Sequence, residues 1–201
     1  MKYYQDITLI PDAEVYLAFL WHKVYIQVHI GLADNKQPDG TSAIAVSFPE
    51  YVYTPNKANR FPLGKKLRLL AETEKQLQQF DTVTRLSRLE DYCHIRSIKA
   101  VPNVTKYCCF SRKQVKSAAK KAEILTEHLN KPLEEVIKFR KKNNLYQDCD
   151  LPFIHMESQQ QTESGEKNKF RLFIQQTFCD SPFQVGFDCY GLSKTATVPW
   201  F

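Results

Sequence analysis

Apolar and polar positions along the chain switch between a two-residue period and a three-to-four-residue period, and the switches mark its elements. Tyr3–Leu9 alternates as a half-buried strand does. Pro11-Asp12 follows and predicts a helix start, with Asp12 as N-cap and Glu14 favouring the positive end of the first turn. Leu17, Leu20, Val24 and Val28 then recur at helical spacing, predicting one buried face that stops near Gly31. After a polar loop over 34–40, Ala43–Phe48 and Lys66–Ala71 read as strands on either side of a loop over 56–64. Thr73–Phe80 predicts a helix capped by Thr73, and Cys93–Ala100 a further strand. The order β-α-β-β-α-β is that of ferredoxin-like domains, including the RNA-recognition motif. The aromatic signature of that motif is not evident on the central strands, so base stacking on the sheet face is not expected.

The pattern changes at Val101-Pro102, which divides the chain into a ferredoxin-like domain, 1–100, and a second region, 101–201. Within 114–129, Val115, Ala118, Ala122, Leu125 and Leu129 share one helical face, while Lys113, Lys116, Lys120 and Lys121 gather opposite. Asn130 and Pro132 end that helix and begin another through Lys142. Phe153–Ser158, Phe170–Gln176 and Phe187–Tyr190 read as strands, and 159–169 as a polar loop. Gly191 breaks the last strand, and Leu192-Ser193-Lys194 turns back. The chain ends on Pro199-Trp200-Phe201, apolar enough to require packing into the body of the protein. The fold class expected is therefore α+β: a ferredoxin-like (RRM-like) N-terminal domain, then a basic helix and a small antiparallel sheet.

Charge sharpens this division. The 201 residues carry a net charge of +6, with 43% hydrophobic and 25% charged residues. Between Val101 and Leu145 stand eleven Lys and Arg against four Glu, an excess larger than that of the whole chain. A basic block on a near-neutral scaffold points to a polyanion, although a solvated helical face reads the same way. Hydrophobic runs never reach membrane-spanning length, and the start lacks the apolar core of a signal peptide, so a cytoplasmic protein is expected. The six cysteines include no Cys-x-x-Cys pair, which favours reduced thiols. The histidines at 22, 29, 94, 128 and 155 show no i, i+4 pairing, so no metal site and no cofactor are expected.

Several short blocks carry a resemblance. They are Tyr4-x-Asp6-Ile7 with Pro11-Asp12, Ala45-Val46-Ser47-Phe48-Pro49, and Leu151-Pro152-Phe153. Phe170-Arg171-Leu172-Phe173-Ile174, Tyr190-Gly191-Leu192-Ser193-Lys194 and Val198-Pro199-Trp200-Phe201 complete the set. In this order, from end to end, they resemble the CRISPR-associated endoribonucleases of type I-F systems, which cut the repeat hairpin of precursor guide RNA. The resemblance implies metal-independent cleavage at the base of the repeat stem-loop. Attack by the 2′-oxygen would give 2′,3′-cyclic phosphate and 5′-hydroxyl ends. It also implies that the protein stays on its product as a subunit of the surveillance complex.

The same resemblance assigns roles. His29 matches the catalytic histidine; taken alone, a histidine in the last turn of a helix serves equally well to complement its negative end. Ser158 matches the serine that positions the ribose 2′-hydroxyl, and Tyr190 a tyrosine near the scissile site. Arg112 and Gln114 match base-reading side chains, suited to guanine and adenine respectively. Phe170 matches the aromatic that stacks under the last base pair of the hairpin, and a core strand position accounts for it equally well. Lys113, Lys116, Lys120 and Lys121 occupy the phosphate-gripping face, where the family carries arginine. Lysine there lacks the planar fork of arginine. Glu157 is acidic beside Ser158, where a phosphate must approach. These two departures support the rival expectation of a non-catalytic hairpin-binding subunit.

Overall fold

The computed structural model describes residues 1–54, 61–115, 124, 126–128, 132–142, 149–161, 167–183 and 185–201. The protein is a mixed α/β chain with antiparallel sheets. It packs as two compact units, Met1–Lys113 with Leu151–Phe201, and Gln114–Asp150. Packing thus follows a different line from the compositional shift at residue 101.

The larger unit holds two sheets. The first comprises β1 (Tyr3–Leu9), β2 (Ile44–Ser47), β3 (Lys66–Ala71), β4 (Cys93–Ile95) and β5 (Lys99–Ala100). Its order is β2-β3-β1-β4, with β5 also on β1, and every pairing is antiparallel. Against it pack α1 (Leu17–Asp34), α2 (Glu74–Phe80) and the short α3 (Thr82–Arg85). The second sheet comprises β6 (Tyr107–Lys113), β7 (Phe153–Gln161), β8 (Lys167–Cys179) and β9 (Val198–Pro199), in the order β7-β8-β6-β9. In the smaller unit, α4 (Leu133–Lys142) follows Pro132 and carries Glu134 and Glu135 in its first turn, where they complement the positive helix end.

Local chemistry accounts for these elements and for several departures from the pattern. The Thr73 cap is present as a capping box, its hydroxyl accepting from Gln76 N while the Gln76 side chain accepts from Thr73 N. Asp12 caps no helix. Its Oδ1 accepts from Glu14 N at 2.8 Å and Val15 N at 2.6 Å, closing a separate turn, and α1 begins only at Leu17. Nor does α1 stop at Gly31. It runs on to Asp34, and Gly31 instead lets α2 and α3 come close: a Cβ there would lie 2.7 Å from Phe80 and 2.8 Å from Arg85.

The strand expected over Cys93–Ala100 is two strands, because the pairing register slips by one residue between Ile7↔Ile95 and Tyr4↔Lys99. The Gln5 side-chain amide donates to Arg96 O at 3.0 Å and satisfies a carbonyl in that gap. β6 has no counterpart among the expected strands, and β7 and β8 extend into the expected loop on both sides. Phe187–Tyr190 is not a strand. Only Phe187 makes an isolated bridge, to Ser42, and Asp188–Gly191 forms a turn.

The two sheets share one core. Phe48 under β2 meets Phe110 of β6 edge-on at 5.2 Å, and the Tyr51 hydroxyl donates to Ile174 O of β8 at 2.9 Å. The C-terminus docks on the first sheet, as its composition requires. Arg68 of β3 is buried, donating to both carboxylate oxygens of Asp6 at 2.6 and 3.0 Å and to Phe201 O at 2.8 Å. The Tyr4 and Phe201 rings lie 4.6 and 3.8 Å from its guanidinium carbon, a desolvated cation-π arrangement. All six cysteines are free thiols, and burial pushes Cys93 to about 11 and Cys108 to about 12. Among the described residues no helix is long and apolar enough to cross a membrane.

Removing one partner of the Arg68–Asp6 pair leaves a buried charge uncompensated. Asp6→Ala should therefore cost about 3–5 kcal/mol of stability in urea denaturation, whereas the double change Asp6→Leu with Arg68→Met should cost much less. A single-variant loss under about 1 kcal/mol would mean that the pair does not anchor the C-terminus.

Candidate active site

Tyr25 and His29 stand one turn apart on α1, so both side chains point to the same neighbour. That neighbour is the turn from Asp188 to Leu192. The Tyr25 hydroxyl donates to Tyr190 O at 2.8 Å, and His29 Nδ1 lies 2.7 Å from Cys189 O. A carbonyl can only accept, so in this contact Nδ1 carries the proton. The neutral imidazole then presents an unprotonated Nε2. His29 stands more than a turn before the end of α1, so the expected placement in the last turn does not hold. Its fixed partner is a carbonyl, not the helix terminus.

The turn itself is tightly held. Gly191 N donates to Asp188 O at 2.9 Å, Asp188 N to Leu192 O at 2.8 Å, and Val46 N of β2 to Gly191 O at 2.8 Å. Gly191 has φ +70, and a Cβ there would fall 2.5 Å from Val46, so both conformation and space demand glycine. Asp188 Oδ1 accepts from Tyr190 N at 2.8 Å and Leu192 N at 3.0 Å. Surrounding protein pushes the Asp188 carboxyl up despite its exposed surface, and those two amides, Arg112 and His29 pull it back in part.

This turn lays the Tyr190 ring flat on His29, with centroids 4.2 Å apart and planes 4° from parallel. Burial raises the Tyr190 hydroxyl above its usual range, opposed by the Arg112 guanidinium beside it, so the phenol stays protonated at neutral pH. From β6, Arg112 sits 5.2 Å from the Tyr190 ring centroid and 5.3 Å from that of Phe170. Phe170 is half-buried on β8, opposite Met156 of β7. His29, Tyr190, Arg112 and Phe170 therefore form one contiguous group, assembled from α1, the C-terminal turn, β6 and β8.

The remaining expected residues are placed less closely. Ser158 is half-buried on β7, two residues beyond Met156, which ties it to the same hairpin as Phe170. Its neighbour Glu157 lies 3.9 Å from Lys169, which offsets the acidic charge. Lys113 ends β6, exposed, and Gln114 follows it, also exposed. Lys116, Lys120 and Lys121, and with them most of the expected basic helix, lie outside the described residues. Tyr25 and Asp188 were not apparent as site residues. The available signal was Tyr25 on the buried face of α1, four residues before His29, since a buried phenol needs a hydrogen-bond partner. Among the described residues no three His, Cys, Asp or Glu converge on a position for a metal ion.

A half-buried histidine with one ring nitrogen tied back, beside a tyrosine and an arginine, is an arrangement with the chemistry to move a proton next to a negative charge. The chain belongs to the family of CRISPR-associated proteins (Cas_Csy4), whose model matches residues 4–201. The resemblance carried by the short sequence blocks is thus that of the whole chain. Two similar proteins are each named CRISPR-associated endonuclease Cas6/Csy4. That of Escherichia coli (strain UTI89 / UPEC) is 31% identical over 204 residues, and that of Pseudomonas aeruginosa (strain UCBPP-PA14) 32% over 206, with 100% of both chains covered each time. A solved structure titled CRISPR associated protein Cas6 aligns loosely, at TM-score 0.32 and 12% identity, over 99% of this chain and 98% of that one.

The locked tautomer is directly observable. Long-range proton–nitrogen correlation spectra of the neutral ring should show the His29 proton on Nδ1. In Gly191→Ala, where the turn cannot keep its place against Val46, the two tautomers should become mixed; an Nε2-protonated ring in the unsubstituted protein would refute the assignment.

Proposed function

We propose that the protein is a metal-independent endoribonuclease that cleaves precursor CRISPR RNA at the base of the repeat stem-loop. Its catalytic residues are His29, Ser158 and Tyr190. The observation that carries this is the hydrogen bond from His29 Nδ1 to Cys189 O, which leaves Nε2 free to take a proton. Ser158 orients the ribose so that its 2′-oxygen is in line with the adjacent phosphorus. Nε2 removes the 2′-hydroxyl proton, the 2′-oxygen bonds to phosphorus, and the bond to the 5′-oxygen breaks. The leaving oxygen takes up a proton, which gives a 2′,3′-cyclic phosphate and a 5′-hydroxyl. The Tyr190 ring, stacked on His29, fixes the imidazole plane, and Arg112 beside it favours the phosphate charge. The relatives' printed name, an endonuclease, supports this reading along the full chain.

Binding is divided between reading and gripping. Arg112 and Gln114 read base edges, Phe170 stacks on the closing pair, and Lys113, Lys116, Lys120 and Lys121 hold phosphates. The sheet order β2-β3-β1-β4 with antiparallel neighbours supports a ferredoxin-like arrangement for residues 1–100, with residues 101–201 supplying most of the RNA contacts. The protein works in the cytoplasm and remains on the cleaved hairpin as a subunit of the surveillance complex. The rival, a binding subunit that does not cut, loses one of its supports, because Lys169 compensates the Glu157 charge.

With a labelled repeat RNA, His29→Ala should slow cleavage about 10²-fold or more while binding persists. Ser158→Ala should act in the same direction. A 2′-deoxy nucleotide just upstream of the cut should abolish the reaction, and EDTA should leave it unchanged. Cutting of the deoxy substrate would mean attack by water instead of the ribose and would end this mechanism. A native hairpin bound tightly but left intact would favour the non-catalytic rival.

Arg112→Ala should weaken the cognate hairpin by about 1–3 kcal/mol and a hairpin with the read guanine changed by little, measured by titration at fixed salt. Equal losses on both would make Arg112 a phosphate or structural contact.

A further inference from the structure

A groove of about 300 Å³ lies between the first turns of α1 and the β7–β8 hairpin, and the cleavage chemistry does not use it. Its walls include Tyr16, Phe19, His22, His155, Glu157 and Lys169. Tyr16 is 66% exposed and Phe19 40%, with ring centroids 6.2 Å apart and planes tilted by 53°, so the two rings form an open aromatic wedge. Neither ring belongs to the core, and leaving so much aromatic surface in water costs free energy that a bound partner would recover. Lys169 lies 3.9 Å from the Glu157 carboxylate and offsets it, and Lys23, 5.3 Å from the Phe19 centroid, adds a further cation beside the wedge. His22 Nδ1 is 2.8 Å from His155 O, so by the argument applied to His29 its Nε2 is left as an acceptor.

Aromatic faces, a flanking cation and a fixed polar atom in a space of this size suit one unpaired nucleotide. Position favours the same choice. His22 and His29 lie seven residues apart on α1, about 10.5 Å along one face. In the hairpin, the Glu157↔Lys169 rung that lines the groove is next to the Met156↔Phe170 rung that leads to Arg112. An RNA strand whose scissile phosphate sits at His29 therefore has its adjoining unpaired nucleotides within reach of the groove.

We propose that this groove is a second RNA subsite, in which Tyr16 and Phe19 take an unpaired base flanking the repeat hairpin. The proposal rests on the hairpin-processing function proposed above. It makes the protein sensitive to what lies beside the stem as well as to the stem itself.

The test uses the full chain and two RNAs. One is the bare repeat hairpin; the other carries its single-stranded flanks, with a 2′-deoxy nucleotide at the cut to prevent cleavage. By fluorescence anisotropy the flanked RNA should bind the unsubstituted protein about tenfold more tightly than the bare hairpin. Phe19→Ala combined with Tyr16→Ala should remove that difference while binding the bare hairpin unchanged, since both side chains are exposed. An abasic nucleotide in the flank should reproduce the loss on the unsubstituted protein. Equal affinity of the unsubstituted protein for both RNAs, or a preference that survives in the double variant, would overturn the subsite alone. Failure of the bare hairpin to bind at all would overturn the hairpin-processing reading, and the subsite with it.

Discussion

The site depends on the close seating of one turn against one strand. Val46 N of β2 donates to Gly191 O, and the glycine lies so near the Val46 side chain that no other residue fits at its positive φ. The placement of His29 and Tyr190 is referenced to that contact. The carbonyls of Cys189 and Tyr190 are held where α1 can reach them, and Tyr25 and His29, one helical turn apart, close on them together. The imidazole thus receives its tautomer from a main-chain atom, which is positioned more rigidly than a carboxylate on a flexible side chain would be.

Rigidity of this kind needs a scaffold that does not slide. The shared core supplies it, because Phe110 of the second sheet packs among Phe48 and Tyr51, which lie beneath the first. The Arg68 cluster adds a polar clamp on the C-terminus, with Asp6 compensating the guanidinium's charge and the Tyr4 and Phe201 rings packed beside it. Such a cluster contributes specificity of docking more than net stability, since burying its charges offsets much of their attraction.

Where the determinants of an element are local, the sequence was legible. β1 follows from alternation, and α2 from a cap and its reciprocal glutamine. Misreadings arose where a residue had two competing local uses. Asp12 can cap a helix or close a turn, and the turn won. Gly31 can end a helix or let another element approach, and the approach won. β6 escaped notice because Cys108, Cys109 and Phe110 are all buried, which erases the alternation that marks a strand with one wet face. Phe187–Tyr190 alternates, yet Asp188 spends its carboxylate on the amides of Tyr190 and Leu192 and bends the chain into a turn. His29 and Tyr190 could be named from family resemblance, but their stacking is a contact between distant parts of the chain that no local periodicity encodes.

That separation has a consequence in time. The acceptor that fixes His29 stands 160 residues further along the chain. Contacts of such sequence distance form after the local ones, since the loop they close must first give up its freedom. A chain still being synthesised, with α1 and the first strands already folded, carries an imidazole free to exchange tautomers and lacking its tyrosine lid. The geometry around His29 is thereby completed only on the arrival of the C-terminal turn, and a chain without that turn lacks the locked imidazole.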